Sequence, residues 1–369
     1  MQKDKYVEVV DEGVVFSNPD LVFGYSAWPS ITRAENGDLL AVYSGNRIMH
    51  VCPFAKVMMQ RSRDEGKTWS AQTIAIDTTL DDRDAGILTL PGGKLMVSTF
   101  NNTRQQQTEW ADKNRFGPAV LTDLVKAYLP AISDEMEEKY HGSLLSVSDD
   151  SGFSFNAPFK APCTAPHGPA LLKDGSILYA GAHFPGKQAG TDGQIGIFKS
   201  KDHRNFELLA EIARSPDAME MLYCEPHIIE LPSGRLVLHI RVQGDYKAMG
   251  ERYFTIMQSV SDDGGKTFTV PKLTGADGSP PHLMLHSSGT LISVYGRRKP
   301  PYGIQAMFSR DSAETWDINH FVWDRGVDGD LGYPASVELR NGDILTIYYA
   351  KIFGQKLTSI LWTRWRLPS

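Results

Sequence analysis

Four side chains that could take part in chemistry occur at one phase of a repeated strand–turn–strand segment. Each of six such segments has a turn glycine, and in four of them the residue nine positions earlier is Trp28, Asp84, Glu225 or Tyr333. A phenol that loses its proton to a neighbouring carboxylate can attack an electrophilic carbon. Tyr333 is therefore the candidate nucleophile, Glu225 its base, and Asp84 a candidate proton donor to a leaving oxygen.

Basic side chains are concentrated beside this phase and at the end of each following strand. Guanidinium groups bind carboxylates through two parallel hydrogen bonds, so these arginines predict a ligand that carries a carboxylate. Of Arg297 and Arg298, which face opposite sides of a strand, Arg298 is predicted to point inward. His50 and His167 are further candidates to protonate a leaving oxygen, and His167 is counted as catalytic. The predicted substrate-binding residues are Trp28, Arg47, His50, Arg83, His227, Arg241, His282 and Arg298.

These residues require a fold that brings six strand beginnings together. The turn glycines are spaced by 56, 82, 59, 55 and 53 residues, close to the period of propeller blades, and they are Gly37, Gly93, Gly175, Gly234, Gly289 and Gly342. The sequence predicts an all-β fold, a six-bladed β-propeller that forms a single domain over residues 1–369. A strand at 6–16 is expected to complete the last blade by pairing with 359–365, which leaves no exposed edge.

A second motif, S-x-D-x-G-x-[ST]-[WF], follows later in the repeats. Its copies begin at Ser62, Ser148 and Ser261, with a near-copy at Ser309 that has alanine in place of glycine and a remnant at Ser200. Ser and Asp side chains bond local backbone N–H groups, and glycine supplies the positive φ of a tight turn. The motif is predicted to form hairpin turns on the face opposite the chemical residues.

These motifs resemble the Asp boxes of the sialidase-like propellers, the neuraminidase or BNR repeat proteins. The resemblance extends from about Tyr25 to the end of the chain, except for a segment at about 103–140. That segment is predicted to form two amphipathic helices inserted between the second and third strands of blade 2. The resemblance implies that Tyr333 is the nucleophile of a glycosidase, Glu225 its activator, and Arg241 and Arg298 two of three arginines that bind an acidic sugar.

Two positions depart from the family pattern. Ala27 stands where the family has its first arginine, and the segment 44–52, where the family has an acid/base aspartate, contains none. Arg47 is the candidate replacement for the guanidinium. His50, Asp84 or His167 is the candidate replacement for the acid. The departures leave the choice open between sialic acid and a related acidic sugar.

The composition narrows the class of partner. An apolar content of 41% and a mean hydropathy of -0.29 are typical of a soluble globular protein, and the net charge of -6 predicts neither a nucleic-acid nor a membrane partner. No histidine pair has zinc-like spacing, so no metal and no cofactor are expected.

Three scattered cysteines and no signal-peptide pattern favour a cytoplasmic protein without disulfides. The helical insertion is a candidate contact for a homo-oligomer.

Three functions remain open at this stage. The first is an exo-acting, sialidase-like glycoside hydrolase that releases a terminal acidic sugar from a glycan. The second is a histidine-dependent glycosidase or lyase that acts on glycans containing uronic acid or rhamnose. The third is a glycan-binding propeller without catalysis, since propellers host many functions.

Overall fold

The computed structural model describes residues 5–113, 117–183, 194–244 and 254–368. Six sheets follow one another along the chain, and in each of them consecutive strands pair antiparallel. The first strands of successive sheets contact one another, so they surround a common axis. The apolar core lies between neighbouring sheets, where side chains of two blades form shared clusters. The predicted six-bladed β-propeller is confirmed.

The N-terminal segment and blades 1 to 3 contain fourteen strands in the described residues. They are β1 Lys5–Tyr6, β2 Glu8–Phe16, β3 Tyr25–Arg33, β4 Leu39–Arg47, β5 Lys56–Ser62, β6 Thr73–Ile76, β7 Arg83–Leu90, β8 Lys94–Phe100, β9 Ser143–Ser148, β10 Phe159–Lys160, β11 Ala170–Leu171, β12 Ile177–His183, β13 Gln194–Ser200 and β14 Glu207–Glu211.

Blades 4 to 6 repeat the same order from the axis outward. They contain β15 Leu222–Glu230, β16 Leu236–Gln243, β17 Phe254–Ser261, β18 Lys272–Leu273, β19 Pro281–Leu285, β20 Leu291–Arg297, β21 Gly303–Ser309, β22 Asp317–Trp323, β23 Gly332–Glu338, β24 Ile344–Lys351 and β25 Thr358–Arg366.

The N-terminal segment closes the ring. Strand β2 pairs antiparallel with β25 and becomes the outer strand of blade 6, as expected from the sequence. The expectation of a single strand over 6–16 is wrong at its start. Lys5–Tyr6 forms a separate strand, which pairs in parallel with β22 of blade 5. The break falls at Val7, whose side chain is buried in the cluster between blades 5 and 6. The segment therefore joins two blades.

The Asp boxes form the predicted turns between the third and fourth strands. In the first copy the Ser62 hydroxyl accepts from Gly66 N–H at 2.9 Å, and Asp64 accepts from Thr68 N–H at 2.9 Å. The near-copy keeps this geometry: Ala313 has a φ of 70° and donates its N–H to the Ser309 hydroxyl at 2.9 Å. Local hydrogen bonding thus imposes the turn even where glycine is absent.

The insertion in blade 2 contains three α-helices within the described residues, where two were expected. They are α1 Arg104–Asp112, α2 Ala119–Tyr128 and α3 Asp134–Tyr140, with a 3₁₀ turn at Leu129–Ala131. Pro130 prevents α2 from continuing, and the Ser133 side chain caps the new helix.

The insertion packs down onto the loops of blades 1 and 2. Its apolar residues Ala111, Val125 and Leu129 form one cluster with Leu80, and the loop side chains of Met49, Val51 and Phe54 pack against that cluster. The helices therefore support the loop that follows β4. In the described ranges no helix is long and apolar enough to cross a membrane.

Candidate functional site

The first strands of blades 1, 2, 4 and 6 share one irregularity near their beginnings. In each of them two residues of the first strand lie opposite one residue of the second strand, as between the pairs Gly332–Tyr349 and Ala335–Ile347. The same arrangement occurs in the other three blades. Such a bulge adds one residue and turns its side chain out of the regular alternation.

The residues in these bulges are the four that the sequence places at one phase. All have positive φ, with 52° for Trp28, 48° for Asp84, 47° for Glu225 and 49° for Tyr333. Bulky side chains rarely adopt this conformation, which costs about 1–3 kcal/mol and is concentrated at functional sites. Four strained residues at one end of the axis mark this end as the candidate site.

Tyr333 and Glu225 are hydrogen-bonded to each other across the axis. The Tyr333 hydroxyl donates to Glu225 Oε1 at 2.6 Å and accepts from Arg241 Nη1 at 3.0 Å. Arg241 Nη1 also forms an ion pair with Glu225 Oε2, and its other terminal nitrogen bonds Gln243. Burial and the Glu225 carboxylate raise the pKa of Tyr333 well above its usual value. The phenol is therefore protonated in the resting site, with a carboxylate in position to take its proton.

Arg298 lies beside this pair with donors to spare. Its guanidinium lies 5.5 Å from the centre of the Tyr333 ring and 5.7 Å from that of Phe254. The Nε and Nη2 atoms are buried and have no hydrogen-bond partner among the described residues. These two nitrogens form one edge of the guanidinium fork, the edge that binds a carboxylate bidentately. The neighbouring Arg297 is instead paired with Asp277 on the other side of its strand.

Asp84 belongs to the same buried group. It is 5% exposed, and its Oδ1 lacks a partner within the described chain. Burial raises the pKa of Asp84 to about 7, Arg83 opposes the rise and Glu225 adds to it. A carboxyl group with this pKa is partly protonated at neutral pH, unlike an ordinary aspartate.

Trp28 and two arginines form the wall next to Asp84. The guanidinium of Arg83 lies 4.4 Å from the centre of the Trp28 ring, and that of Arg47 lies 4.6 Å from it. Trp28 is 1% exposed and Arg47 is fully buried. Arg47 is paired with Asp81 at 2.8 Å and donates to the His50 carbonyl at 2.7 Å. The prediction that Arg47 contacts substrate is therefore not supported, because its donors hold the loop after β4.

His50 lies at the rim, on that same loop. Its ring meets the Trp28 ring edge-on at 4.9 Å, and its side chain is 49% exposed. Nδ1 lies 3.3 Å from the Tyr25 hydroxyl and 3.7 Å from Asp330 Oδ1, while that hydroxyl donates to Asp330 at 3.0 Å. The structure thus adds Tyr25 and Asp330, which sequence reasoning missed, to the set.

The three axial histidines form a separate cluster deeper in the ring. The rings of His227 and His282 stack with centres 4.6 Å apart, and His167 meets both of them edge-on at 5.6 and 4.9 Å. His227 Nδ1 accepts from Leu283 N–H at 2.9 Å, and both ring nitrogens of His167 are buried without a partner in the described residues. Burial lowers the pKa of all three, that of His227 to about 4. They are neutral at physiological pH.

A metal centre does not emerge from these groups. Among the described residues no three histidine, cysteine or carboxylate side chains are arranged to hold a metal ion. The Nδ1 atom of His227 accepts a backbone hydrogen bond, so the proton of its neutral ring resides on Nε2. That nitrogen is then a donor and not a ligand.

Three aspartates that pair with basic side chains around the site also occur at a regular position in the repeat, which the sequence analysis did not consider. Asp81 and Asp330 each lie three residues before a bulge residue, and Asp277 lies three before Pro280 at the same phase. Each pairs with a basic side chain that ends a second strand: Asp81 with Arg47, Asp277 with Arg297, and Asp330 with Lys351 at 3.9 Å. A count twelve residues back from the turn glycines would have found them.

Comparison with known proteins agrees with this architecture. The BNR repeat-like domain family matches residues 128–346, more than half of the chain. No curated protein matches this chain in sequence.

Solved structures share the fold at low sequence identity. A protein of unknown function from Dyadobacter fermentans is 20% identical with a TM-score of 0.76, covering 98% of this chain and 99% of its own. A Hadza microbial sialidase is 17% identical with a TM-score of 0.60, covering 96% of this chain and 68% of its own. The Penicillium chrysogenum alpha-L-arabinanase complexed with arabinobiose is 16% identical with a TM-score of 0.64, covering 97% and 98%. At these identities the likeness shows the fold.

Proposed function

The chain belongs to the BNR repeat-like domain family, and from that premise we propose that it is an exo-acting glycoside hydrolase that releases a terminal acidic sugar, sialic acid or a related one. The observation that carries the proposal is the hydrogen bond of 2.6 Å between Tyr333 and Glu225, with the open edge of Arg298 beside it. Proteins of this fold that are named as a sialidase and an arabinanase support chemistry on glycans.

The Tyr333–Glu225 pair supplies the nucleophile. As the phenol oxygen bonds to the anomeric carbon, its proton passes to Glu225 Oε1 and the bond to the leaving oxygen breaks. A neutral phenol avoids the repulsion that an acidic sugar would meet at a carboxylate nucleophile. Water then attacks the anomeric carbon, the phenol oxygen leaves, and Glu225 returns the proton to it. Arg241, bonded to both groups, holds their geometry through the two steps.

The arginines support an acidic sugar as the substrate. Arg298 has two unpartnered donors on one edge, and Nε of Arg241 is also unpartnered among the described residues. A buried guanidinium without an acceptor is costly, and a substrate carboxylate would supply the acceptors. The hydroxyl oxygens of an uncharged sugar could accept from these donors but would not offset the charge of the guanidinium groups. The site therefore favours sugars that carry a carboxylate on the carbon skeleton next to the anomeric centre or on the ring.

The two alternative functions have less support from the geometry. His167, the candidate base of a histidine-dependent lyase, is 2% exposed, and its pKa is lowered well below the usual value by burial and by His227. A binding protein without catalysis would make no use of a phenol hydrogen-bonded to a carboxylate that can take its proton, as Tyr333 is to Glu225.

A release assay with matched tyrosine variants tests the proposal. A panel of 4-methylumbelliferyl glycosides, including sialosides and uronides, is incubated with wild type, Tyr333→Phe and Tyr349→Phe. Tyr333→Phe should remain folded and lose about 10³-fold or more in kcat. Tyr349 is the control, because it is buried 6.1 Å from the Tyr333 ring and its hydroxyl bonds nothing in the described residues.

Four outcomes separate the hypotheses. Release by wild type and Tyr349→Phe but not by Tyr333→Phe supports the proposal. Full activity of Tyr333→Phe removes the phenol nucleophile. Binding of glycans without release by any variant favours the binding protein, and an unsaturated product that absorbs ultraviolet light favours the lyase.

A further inference from the structure

We propose that His50, oriented by Asp330 and Tyr25, is the general acid and base of the proposed hydrolysis. The inference rests on the proposed function and names a catalytic residue for it. It begins from the rim of the site, where a proton donor to a departing glycan has to act.

The leaving group determines where the acid must be. In exo-hydrolysis the terminal sugar occupies the closed end of the site, and the rest of the glycan leaves toward solvent. Asp84 is 5% exposed and lies among Glu225, Arg83 and Arg241, at the closed end. The side chain of His50 is 49% exposed, and its ring contacts Trp28, which in turn contacts Tyr333 with ring centres 6.3 Å apart. His50 thus faces the side from which the glycan departs.

The hydrogen bonds around His50 assign its tautomer. The Tyr25 hydroxyl donates its proton to Asp330 at 3.0 Å, so toward Nδ1 of His50 at 3.3 Å it can only accept. Nδ1 therefore carries a proton and faces the hydroxyl and the carboxylate. Nε2 is left with a lone pair in the neutral ring and with a transferable proton in the imidazolium, as an acid/base catalyst requires.

The loop that carries His50 is fixed by contacts at its backbone. The His50 carbonyl accepts from Arg47 at 2.7 Å and from Arg83 at 3.0 Å. The neighbouring Met49 and Val51 pack against the helical insertion. The ring is therefore positioned before substrate arrives, which reduces the loss of freedom on forming the reactive geometry.

His50 and Glu225 together account for every proton that moves in the reaction. The imidazolium of His50 gives its Nε2 proton to the glycosidic oxygen as Tyr333 attacks the anomeric carbon. In the second step the neutral Nε2 takes a proton from the attacking water, while Glu225 returns its proton to the departing phenol oxygen. Both groups end in their starting states.

The charges around His50 set its titration. Burial lowers its pKa, Asp330 opposes the lowering, and Arg83 and Arg47 add to it. Lys351 faces Asp330 from β24 at 3.9 Å. Because Asp330 stabilises the imidazolium, its removal should lower the pKa of His50, and the pH limb that requires the protonated ring should move to lower pH.

The test compares leaving groups. The 4-methylumbelliferyl group is a good leaving group, so its departure from the aryl glycoside needs little help from an acid. A disaccharide with the same terminal sugar has an alkyl leaving oxygen, which must receive a proton as it departs. His50→Gln should lose about 10²–10⁴-fold in kcat on the disaccharide and much less on the aryl glycoside. Asp330→Asn should shift the alkaline limb of kcat/KM on the disaccharide by about one pH unit toward acid. The imidazole resonance of His50 in an NMR titration should shift in the same direction.

Matched controls separate this role from general damage. Asp324→Asn changes a nearby carboxylate, which accepts from the Tyr6 hydroxyl at 3.0 Å and has no hydrogen bond to His50 or Asp330 in the described residues. His203→Gln removes a histidine on the Asp-box face, bonded to the Gly175 carbonyl. Both should behave as wild type on both substrates.

Each remaining outcome overturns a defined claim. Equal losses on both substrates, or none, in His50→Gln while Tyr333→Phe is inactive would remove His50 as the acid and leave the proposed function standing. An unshifted His50 titration in Asp330→Asn would remove the positioning role of Asp330. If wild type releases no sugar from any member of the panel, the proposed function falls, and the role of His50 falls with it.

Discussion

Protonation of the axial histidines should destabilise the protein in mild acid, and His227 allows the effect to be isolated. Its pKa is about 4 in the folded protein because of burial, against 6.5 when unfolded. Between these values the unfolded state binds more protons, so stability is present above pH 6.5 and is lost as the pH falls toward 4. At pH 5 the loss from this one ring is about 2 kcal/mol.

The perturbation is His227→Asn, which keeps an acceptor for Leu283 N–H near the position of Nδ1 but does not titrate. Its free energy of unfolding is compared with that of wild type in urea at pH 8 and at pH 5. The variant should be less stable at both pH values because it loses packing. From pH 8 to pH 5, however, the free energy of unfolding of wild type should fall by about 2 kcal/mol more than that of the variant.

The comparison of two proteins is needed because other groups titrate in the same range. Burial raises the pKa of Asp82 and Asp84 to about 7, so their contribution is present below pH 3.8 and is lost as the pH rises through 7. These carboxyls oppose the histidines in the total curve and cancel in the difference. If the gap between wild type and variant is the same at both pH values, His227 is not held neutral by burial and the reasoning is refuted.

Two further predictions concern stability alone. Arg47→Met should cost about 3 kcal/mol in urea unfolding, because it removes the 2.8 Å ion pair of the buried Asp81 and leaves that carboxylate with Arg83 at 3.5 Å; a cost below 1 kcal/mol would show that Arg83 compensates for the lost pair. Ser62→Ala should cost about 1–3 kcal/mol because Gly66 N–H, 2.9 Å from the lost hydroxyl, stays buried; an unchanged midpoint would show that the turn needs no serine.

Much of the candidate site could be found from the sequence because the repeat fixes the phase of each strand. Counting back from the turn glycines reached Tyr333 and Glu225, which are hydrogen-bonded at 2.6 Å although they are 108 positions apart. Counting forward from Gly289 to the end of the second strand, together with strand alternation, selected Arg298, which lies by the Tyr333 ring. Their roles in catalysis and binding stay predictions until the variants are measured.

Other parts of the site depend on features that the phase does not encode. Arg47 lies at the end of a second strand, as predicted, but its guanidinium packs against Trp28 and pairs with Asp81, which was not among the predicted site residues. The loop position of His50 is set by helices inserted about 50 residues later, whose apolar faces pack on its neighbours. Long-range packing of irregular segments has no periodic signal in the chain.

The sequence by itself determined the six blades, the closure of the ring and the turns of the Asp boxes. Each of these follows from a local pattern, alternating apolar residues or a side chain that bonds its own turn, repeated often enough to be read. Only the tertiary structure decided which of the side chains at these phases bond to one another and which, like Arg47, have other partners. The bulges at four strand beginnings turn Trp28, Asp84, Glu225 and Tyr333 to positive φ, a conformation that neighbouring blades must hold against local preference. Burial between those blades then sets the protonation states on which the proposed chemistry depends.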